Sequence, residues 1–159
     1  MGAGAARAGA ASSVTVPHER TSVRLVRHAM ADQLDAAGVA ADERDDAMLV
    51  LSELVSNAIK HAAPLPSGEI AVRWEVRDDL LHIEITDGGA GTRPRASVAS
   101  PSALGGRGLD IVRTVSVDWG VTEGDGSVTV WAEVPRTASV DLTAAAPVTP
   151  GQDPGGPPR

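Results

Sequence analysis

Apolar residues recur along this chain with two periods, and the switches between them mark out the elements. Val14 and Val16 alternate with polar neighbours and are followed by Pro17, the pattern of a short strand. Val23, Val26, Met30, Leu34 and Ala37 then return at helical spacing, with Gly38 as the stop. A second helical pattern begins near Asp42, where Asp42, Glu43, Asp45 and Asp46 set negative charge at the positive end of the helix dipole. It runs to about Ala62 and is closed by Pro64 and Pro66, which cannot continue a helix. Alternation returns in Ile70, Val72 and Trp74 and again in Leu81, Ile83 and Ile85, predicting two strands joined at Arg77-Asp78-Asp79. A Gly-, Pro- and Ser-rich loop from Asp87 to Gly106 follows, and Leu109, Ile111, Val112 and Val115 then predict a third helix. Two last strands, near 117–122 and 128–134, are joined by Glu123-Gly124-Asp125-Gly126.

This order predicts an α+β two-layer sandwich: a mostly antiparallel mixed sheet with helices on one face. The predicted domain spans 14–135. Residues 1–13 are Gly/Ala-rich and 136–159 are rich in Pro, Gly and Ala, so both tails lack the apolar surface that offsets ordering and are expected to be disordered. A length of 159 residues suits one domain, since ~100–200 residues is the usual range. Aromatics are only 2% (Trp74, Trp119 and Trp131), so Val, Leu, Ile and Ala must build the core.

Charge and composition then narrow the chemistry. A net charge of −7 with no basic run argues against direct nucleic-acid binding. The chain has no cysteine, which removes disulfides, Cys-type zinc clusters and thiol nucleophiles. No stretch approaches the ~20 apolar residues of a membrane helix, and the Ala-rich start lacks the apolar segment of a signal peptide. A cytoplasmic location is expected.

Three segments carry candidate chemistry. In Glu53-Leu54-Val55-Ser56-Asn57, about 100° per residue stacks Glu53 and Asn57 on one helix face as an i,i+4 pair. The Asn57 amide oxygen is a hard ligand suited to Mg²⁺, which keeps waters and bridges to phosphates. Glu53 is then placed to orient or deprotonate a hydroxyl nearby. In Asp87-Gly88-Gly89-Ala90-Gly91, a carboxylate at a strand end can accept a hydrogen bond from an exocyclic amine such as adenine N6, and the glycines let backbone approach a flat ligand. Gly105-Gly106-Arg107-Gly108-Leu109 opens a helix, whose free N–H groups bind anions. Each segment alone also occurs as a solvated helix edge, an ordinary turn or a plain helix start. The Rossmann and P-loop motifs are both absent.

Taken in order, these segments resemble the boxes of the gyrase–histidine kinase–MutL ATPase superfamily. The run from Leu51 to Ala62 resembles its N box, Asp87-x-Gly89-x-Gly91 its G1 box, and Gly106-x-Gly108-Leu109 its G2 box. Thr129-Val130-Trp131 resembles the last strand of its short members, whose threonine lies near the adenine pocket. The short form is similar to anti-sigma-factor serine kinases. The resemblance implies a Bergerat-type fold that binds ATP or ADP with Mg²⁺, phosphorylates a serine of a protein antagonist and sequesters a sigma factor. It also implies a possible homodimer.

Residue by residue, the resemblance makes Glu53 the general base and Asn57 the Mg²⁺ ligand. Asp87 becomes the adenine contact, with Gly89, Gly91, Gly106, Arg107, Gly108, Leu109 and Thr129 shaping the nucleotide pocket. Arg93, Arg95 and Arg107 are alternative partners for developing phosphate charge, each otherwise a solvated arginine. Other readings stay open: a nucleotide-binding regulator acting by contact alone, a detached histidine-kinase ATPase module, or a structural α+β domain. Glu53 favours the enzyme, since a contact-only regulator has no need of a base.

Overall fold

Each predicted helix and strand is present in a computed structural model, which describes residues 11–89 and 106–137. The elements are β1 (Ala11–Pro17), α1 (Ser22–Ala36), α2 (Ala41–His61), β2 (Glu69–Val76), β3 (Leu80–Asp87), α3 (Gly106–Val115), β4 (Asp118–Gly124) and β5 (Ser127–Pro135). The strands form one five-stranded sheet in the order β1-β2-β3-β5-β4. Every pairing among the described residues is antiparallel, so the mostly antiparallel mixed sheet expected from the element order is corrected in its mixed part. The reason is topological. The β3–α3–β4 crossover leaves β4 parallel to β3, but the β4–β5 hairpin folds β5 back between them.

β1 begins at Ala11 instead of Val14, so Ala11, Ser12 and Ser13 of the expected tail pair with Glu75, Trp74 and Arg73. Backbone pairing and a hydrogen bond from Gln33 Nε2 to Ser12 Oγ hold this extension, which explains why no apolar alternation announces it. Arg136 and Thr137 of the other expected tail likewise bond to Glu43 instead of being disordered, and residues 1–10 and 138–159 lie outside the described ones.

The core lies between the sheet and the helices. Val26, Met30 and Leu34 of α1 and Val50, Leu51, Leu54 and Val55 of α2 are buried against Ile70, Val72 and Trp74 of β2 and Leu81, Ile83 and Ile85 of β3. These are the residues whose periods predicted the elements. Trp74 is 1% exposed, and its indole N–H donates to Gln33 Oε1 at 2.7 Å, so the one polar atom of the largest core side chain is satisfied.

The opposite face of the sheet has its own polar network. His82 lies between Glu84 and Glu133 and stacks on Trp131, with ring centroids 5.8 Å apart. Next along this face, the Thr86 and Thr129 hydroxyls share a hydrogen bond of 2.8 Å.

The start of α2 is tied to the end of the sheet. Glu43, 8% exposed, accepts from Arg136 Nε at 3.4 Å and from the Thr137 N–H at 2.5 Å. Arg136 also donates to the Arg77 carbonyl at 2.5 Å. No helix among the described residues is long and apolar enough to cross a membrane.

Candidate functional site

The C-terminal half of α2 presents Glu53 and Asn57 on one face, as their spacing requires. The first turn of α3 lies against that face. A Cβ built on Gly108 would collide with Glu53 Oε2 and stand 3.6 Å from Asn57 Oδ1. Gly108 is therefore glycine because two helices meet there over two polar side chains. Leu109, 3% exposed, and Val112 anchor α3 in the core and hold this approach. The first N–H groups of α3, those of Gly106, Arg107 and Gly108, have no partner within the helix.

Asn57 carries the clearest chemical signal. Its Nδ2 is buried and has no hydrogen-bond partner among the described residues. An orphaned amide in a packed interior costs roughly 1–3 kcal/mol and calls for a reason. Rotating the amide by 180° puts oxygen at that position, and the two orientations differ little in shape. A cation supplies what a buried, unpartnered amide oxygen lacks. Among the described residues no group of three or more His, Cys, Asp or Glu is placed to hold a metal. One amide oxygen completed by phosphate oxygens and water suits Mg²⁺ and no ion that needs an all-protein cage. The residues present fit the ion.

Asp87 ends β3 facing the helices and is 4% exposed. Its Oδ1 accepts from the Gly89 N–H at 2.7 Å, and among the described residues the other oxygen is not engaged. Burial holds the carboxyl's pKa above the ordinary carboxylate value, while the Gly89 N–H and the field of His18 pull it back. Gly89 needs its missing side chain twice over. Its φ is +77°, and a Cβ would lie 3.1 Å from Val128 Cγ2. Gly88 is packed against the chain that leaves α2, where a Cβ would strike the Pro64 carbonyl. Ala63 exchanges backbone hydrogen bonds of 2.8 Å with both glycines. The end of the N-box helix and the G1 turn are thus one connected unit.

Glu53, Asn57, Gly108 and Leu109 come together, and Asp87 and Gly89 meet the end of the same helix. Gly106 and Arg107 lie in the first turn of α3. Gly91, Arg93 and Arg95 fall outside the described residues. His61 is exposed.

Thr129 is not in this group, contrary to the expectation that it borders the adenine pocket. It pairs with Thr86, so its side chain lies on the sheet face away from the helices. The residue across from Asp87 is Val128. Register decides this: a shift of one residue exchanges the two faces of a strand.

Val128 and His18 are the site neighbours that the motifs missed. Val128 was detectable only by pairing β5 with β3. His18 has no spacing relation to α2, yet its Nε2 lies 2.9 Å from the Ala62 carbonyl and 3.1 Å from that of Ala58. A shallow depression lined by Arg20, Val23, Ser56, Ile59 and Lys60 contains none of the candidate residues.

Comparison with known proteins places the chain in a family. Residues 16–133 match the histidine kinase-like ATPase domain family. The chain is 31% identical over 74 residues to the serine-protein kinase RsbW of Bacillus cereus (strain AH187), covering 46% of each protein. It is 34% identical over 76 residues to the serine-protein kinase RsbW of Staphylococcus aureus (strain bovine RF122 / ET3-1), covering 46% of this chain and 48% of that one. The match thus spans about half the length of these curated relatives. Among solved structures, the RsbU and RsbW domains of a Mycobacterium tuberculosis protein superpose with a TM-score of 0.61 at 19% identity, over 81% of this chain and 34% of that one. That likeness concerns the fold. With the family match extending from β1 into β5, this chain belongs to the histidine kinase-like ATPase domain family.

Proposed function

We propose that this chain binds ATP with Mg²⁺ and transfers the γ-phosphoryl group to a serine of a protein antagonist. In this reading it also sequesters a sigma factor in the cytoplasm. One observation carries the catalytic part: Glu53 and Asn57 share a helix face directly against Gly108, at the anion-binding end of α3. The names of the relatives, serine-protein kinases, favour serine as the acceptor. The sigma factor and antagonist follow from the resemblance to anti-sigma-factor kinases.

Asn57 would hold the ion through its amide oxygen, and Mg²⁺ when bound would supply charge neutralisation of the triphosphate. The first N–H groups of α3 donate to the phosphate oxygens at the positive end of the helix. Asp87 takes the adenine amino group. Glu53 accepts the serine proton as the hydroxyl oxygen bonds to the γ-phosphorus, while the bond to the β-phosphate oxygen breaks and ADP leaves. Buried Asp87 and the glycine-lined junction fix the nucleotide so that little reorganisation accompanies the step.

The test is calorimetric titration with ATP and ADP, with and without Mg²⁺, followed by phosphotransfer to serine-bearing antagonist proteins. The account expects Mg-dependent nucleotide binding and a phosphoserine product that Glu53→Gln does not form. A folded protein that binds no nucleotide contradicts it. Binding without transfer to any antagonist reduces the function to regulation by contact.

A further inference from the structure

His18 belongs to none of the three motifs, yet the fold spends several interactions on placing it. It sits in the turn between β1 and α1. The preceding Pro17 carbonyl accepts from Ser22 Oγ at 2.5 Å and from the Glu19 N–H at 2.8 Å, and Ser22 is fully buried. The His18 N–H donates to the Gly68 carbonyl at 3.3 Å, fixing the turn to the start of β2. The imidazole therefore has a rigid root.

Its Nε2 meets the carbonyls of Ala58, in the last turn of α2, and of Ala62, the residue that caps it. Both partners are acceptors, so Nε2 carries the proton, as it does in one neutral tautomer and in the imidazolium. At Ala62 the backbone leaves the helix for an extended conformation. The next residue, Ala63, donates to the Gly89 carbonyl and accepts from the Gly88 N–H, each at 2.8 Å. Gly89 in turn donates to Asp87 Oδ1 at 2.7 Å. A continuous path of hydrogen bonds and backbone leads from the imidazole to the carboxylate.

A histidine at a helix C-terminus is commonly a cap and nothing more. Here the capped carbonyl is one peptide away from the segment that holds the G1 turn. Gly88 is closely packed there, because a Cβ built on it would strike the Pro64 carbonyl and crowd that of Ala63. Movement of the α2 end is therefore passed to Gly89 and on to Asp87.

We propose that His18 is a positioning residue of the base pocket: by clamping Ala58 and Ala62 it holds Ala63 against Gly88 and Gly89 and so aims the Asp87 carboxylate. This rests on the reading of Asp87 as the adenine contact. A correctly aimed carboxylate accepts from the adenine amino group and is repelled by the guanine carbonyl oxygen, so its direction sets the preference between the two bases. Loss of the clamp therefore weakens base discrimination more than it weakens the hold on the phosphates.

The experiment measures Mg-ATP and Mg-GTP affinities of the full chain for wild type, Asp87→Asn, His18→Leu and His18→Gln, with melting curves for each. Gln places an N–H at the same bond distance from Cβ as Nε2. His18→Leu should lower the ATP-over-GTP ratio about tenfold with GTP affinity unchanged, the scale of one hydrogen bond, and His18→Gln should restore it. His18→Asn, polar but one bond too short, replaces His18→Leu should that variant not fold. An unchanged ratio in the clamp-deficient variant, where Asp87→Asn has lost it, overturns the proposal alone. Equal weakening of both nucleotides also overturns it and leaves His18 a structural cap. If Asp87→Asn keeps the wild-type ratio, the base-pocket reading falls and the proposal with it.

Discussion

The two ends of α2 handle polar side chains in opposite ways. Near its start, Glu43 is buried but paired, taking hydrogen bonds from Arg136 and Thr137. About 20 Å further along the same helix, Asn57 has a buried amide nitrogen with no partner among the described residues. Glu53 lies beside it, in the space that Gly108 leaves open. Stability alone favours the first arrangement, because an unpaired buried polar group costs free energy. In the proposed function the unpaired end is where a ligand acts, and the paired end is where the helix is fastened to the sheet. Substitutions at the two ends should accordingly separate function from stability.

The largest separation is expected at Asp87. Its raised pKa means that the ionised form is disfavoured in the folded state. The stability contributed by proton binding is present below the unfolded-state pKa and lost as pH rises through the folded one. Asp87→Asn carries no such charge. The ligand-free variant should melt no lower than wild type at neutral pH, and its advantage should shrink as pH falls through the raised folded-state value toward the ordinary carboxylate value, below which it stays constant. Its ATP affinity should fall by about a hundredfold, the scale of a charge-assisted hydrogen bond lost to a mismatched amide. A variant that is both less stable and still competent to bind reverses the comparison.

Gly108→Ala comes next. Its methyl group meets the far end of a flexible glutamate, so the carboxylate moves and the fold stays. Transfer from Mg-ATP should slow by about a hundredfold, as a misplaced catalytic group does, while the melting temperature holds. Wild-type transfer by this variant removes Glu53 from the role of base.

At the other end of α2, Glu43→Ala removes the carboxylate partner of the half-buried Arg136 and the acceptor of the Thr137 N–H, and should destabilise the fold by about 2 kcal/mol. Chemical denaturation measures that loss, and nucleotide affinity in the folded fraction should not change. The smallest effect belongs to Thr129→Val. It removes a hydroxyl bonded only to Thr86 among the described residues and should change ATP affinity by less than about twofold. A large loss there would place the hydroxyl in the pocket after all and contradict the register.

How much of this was legible in the sequence follows from which interactions are local. The helices and inner strands were readable because Val26, Met30 and Leu34, or Ile83 and Ile85, repeat at the period of the element that buries them. Glu53 with Asn57 was readable for the same reason. Thr129 was misplaced because alternation along β5 does not say which phase faces the helices, and only pairing with β3 puts Val128 opposite Asp87. The Ala11 start of β1 escaped because small residues hold their place there by backbone pairing. His18 escaped because the carbonyls it bonds lie 40 and 44 residues away, in contacts that only the folded chain creates.

The central claim is that the unpaired end of α2 is a Mg–nucleotide site, and Asn57 tests it most directly. Titration of wild type and Asn57→Ala with ATP should be done in Mg²⁺ and again in chelator, with a melting curve for each protein. The account predicts that Mg²⁺ strengthens ATP binding to wild type, and that Asn57→Ala loses this gain while melting no lower than wild type, since an unsatisfied buried group has been removed. A folded Asn57→Ala that keeps the full Mg-dependent affinity would contradict it.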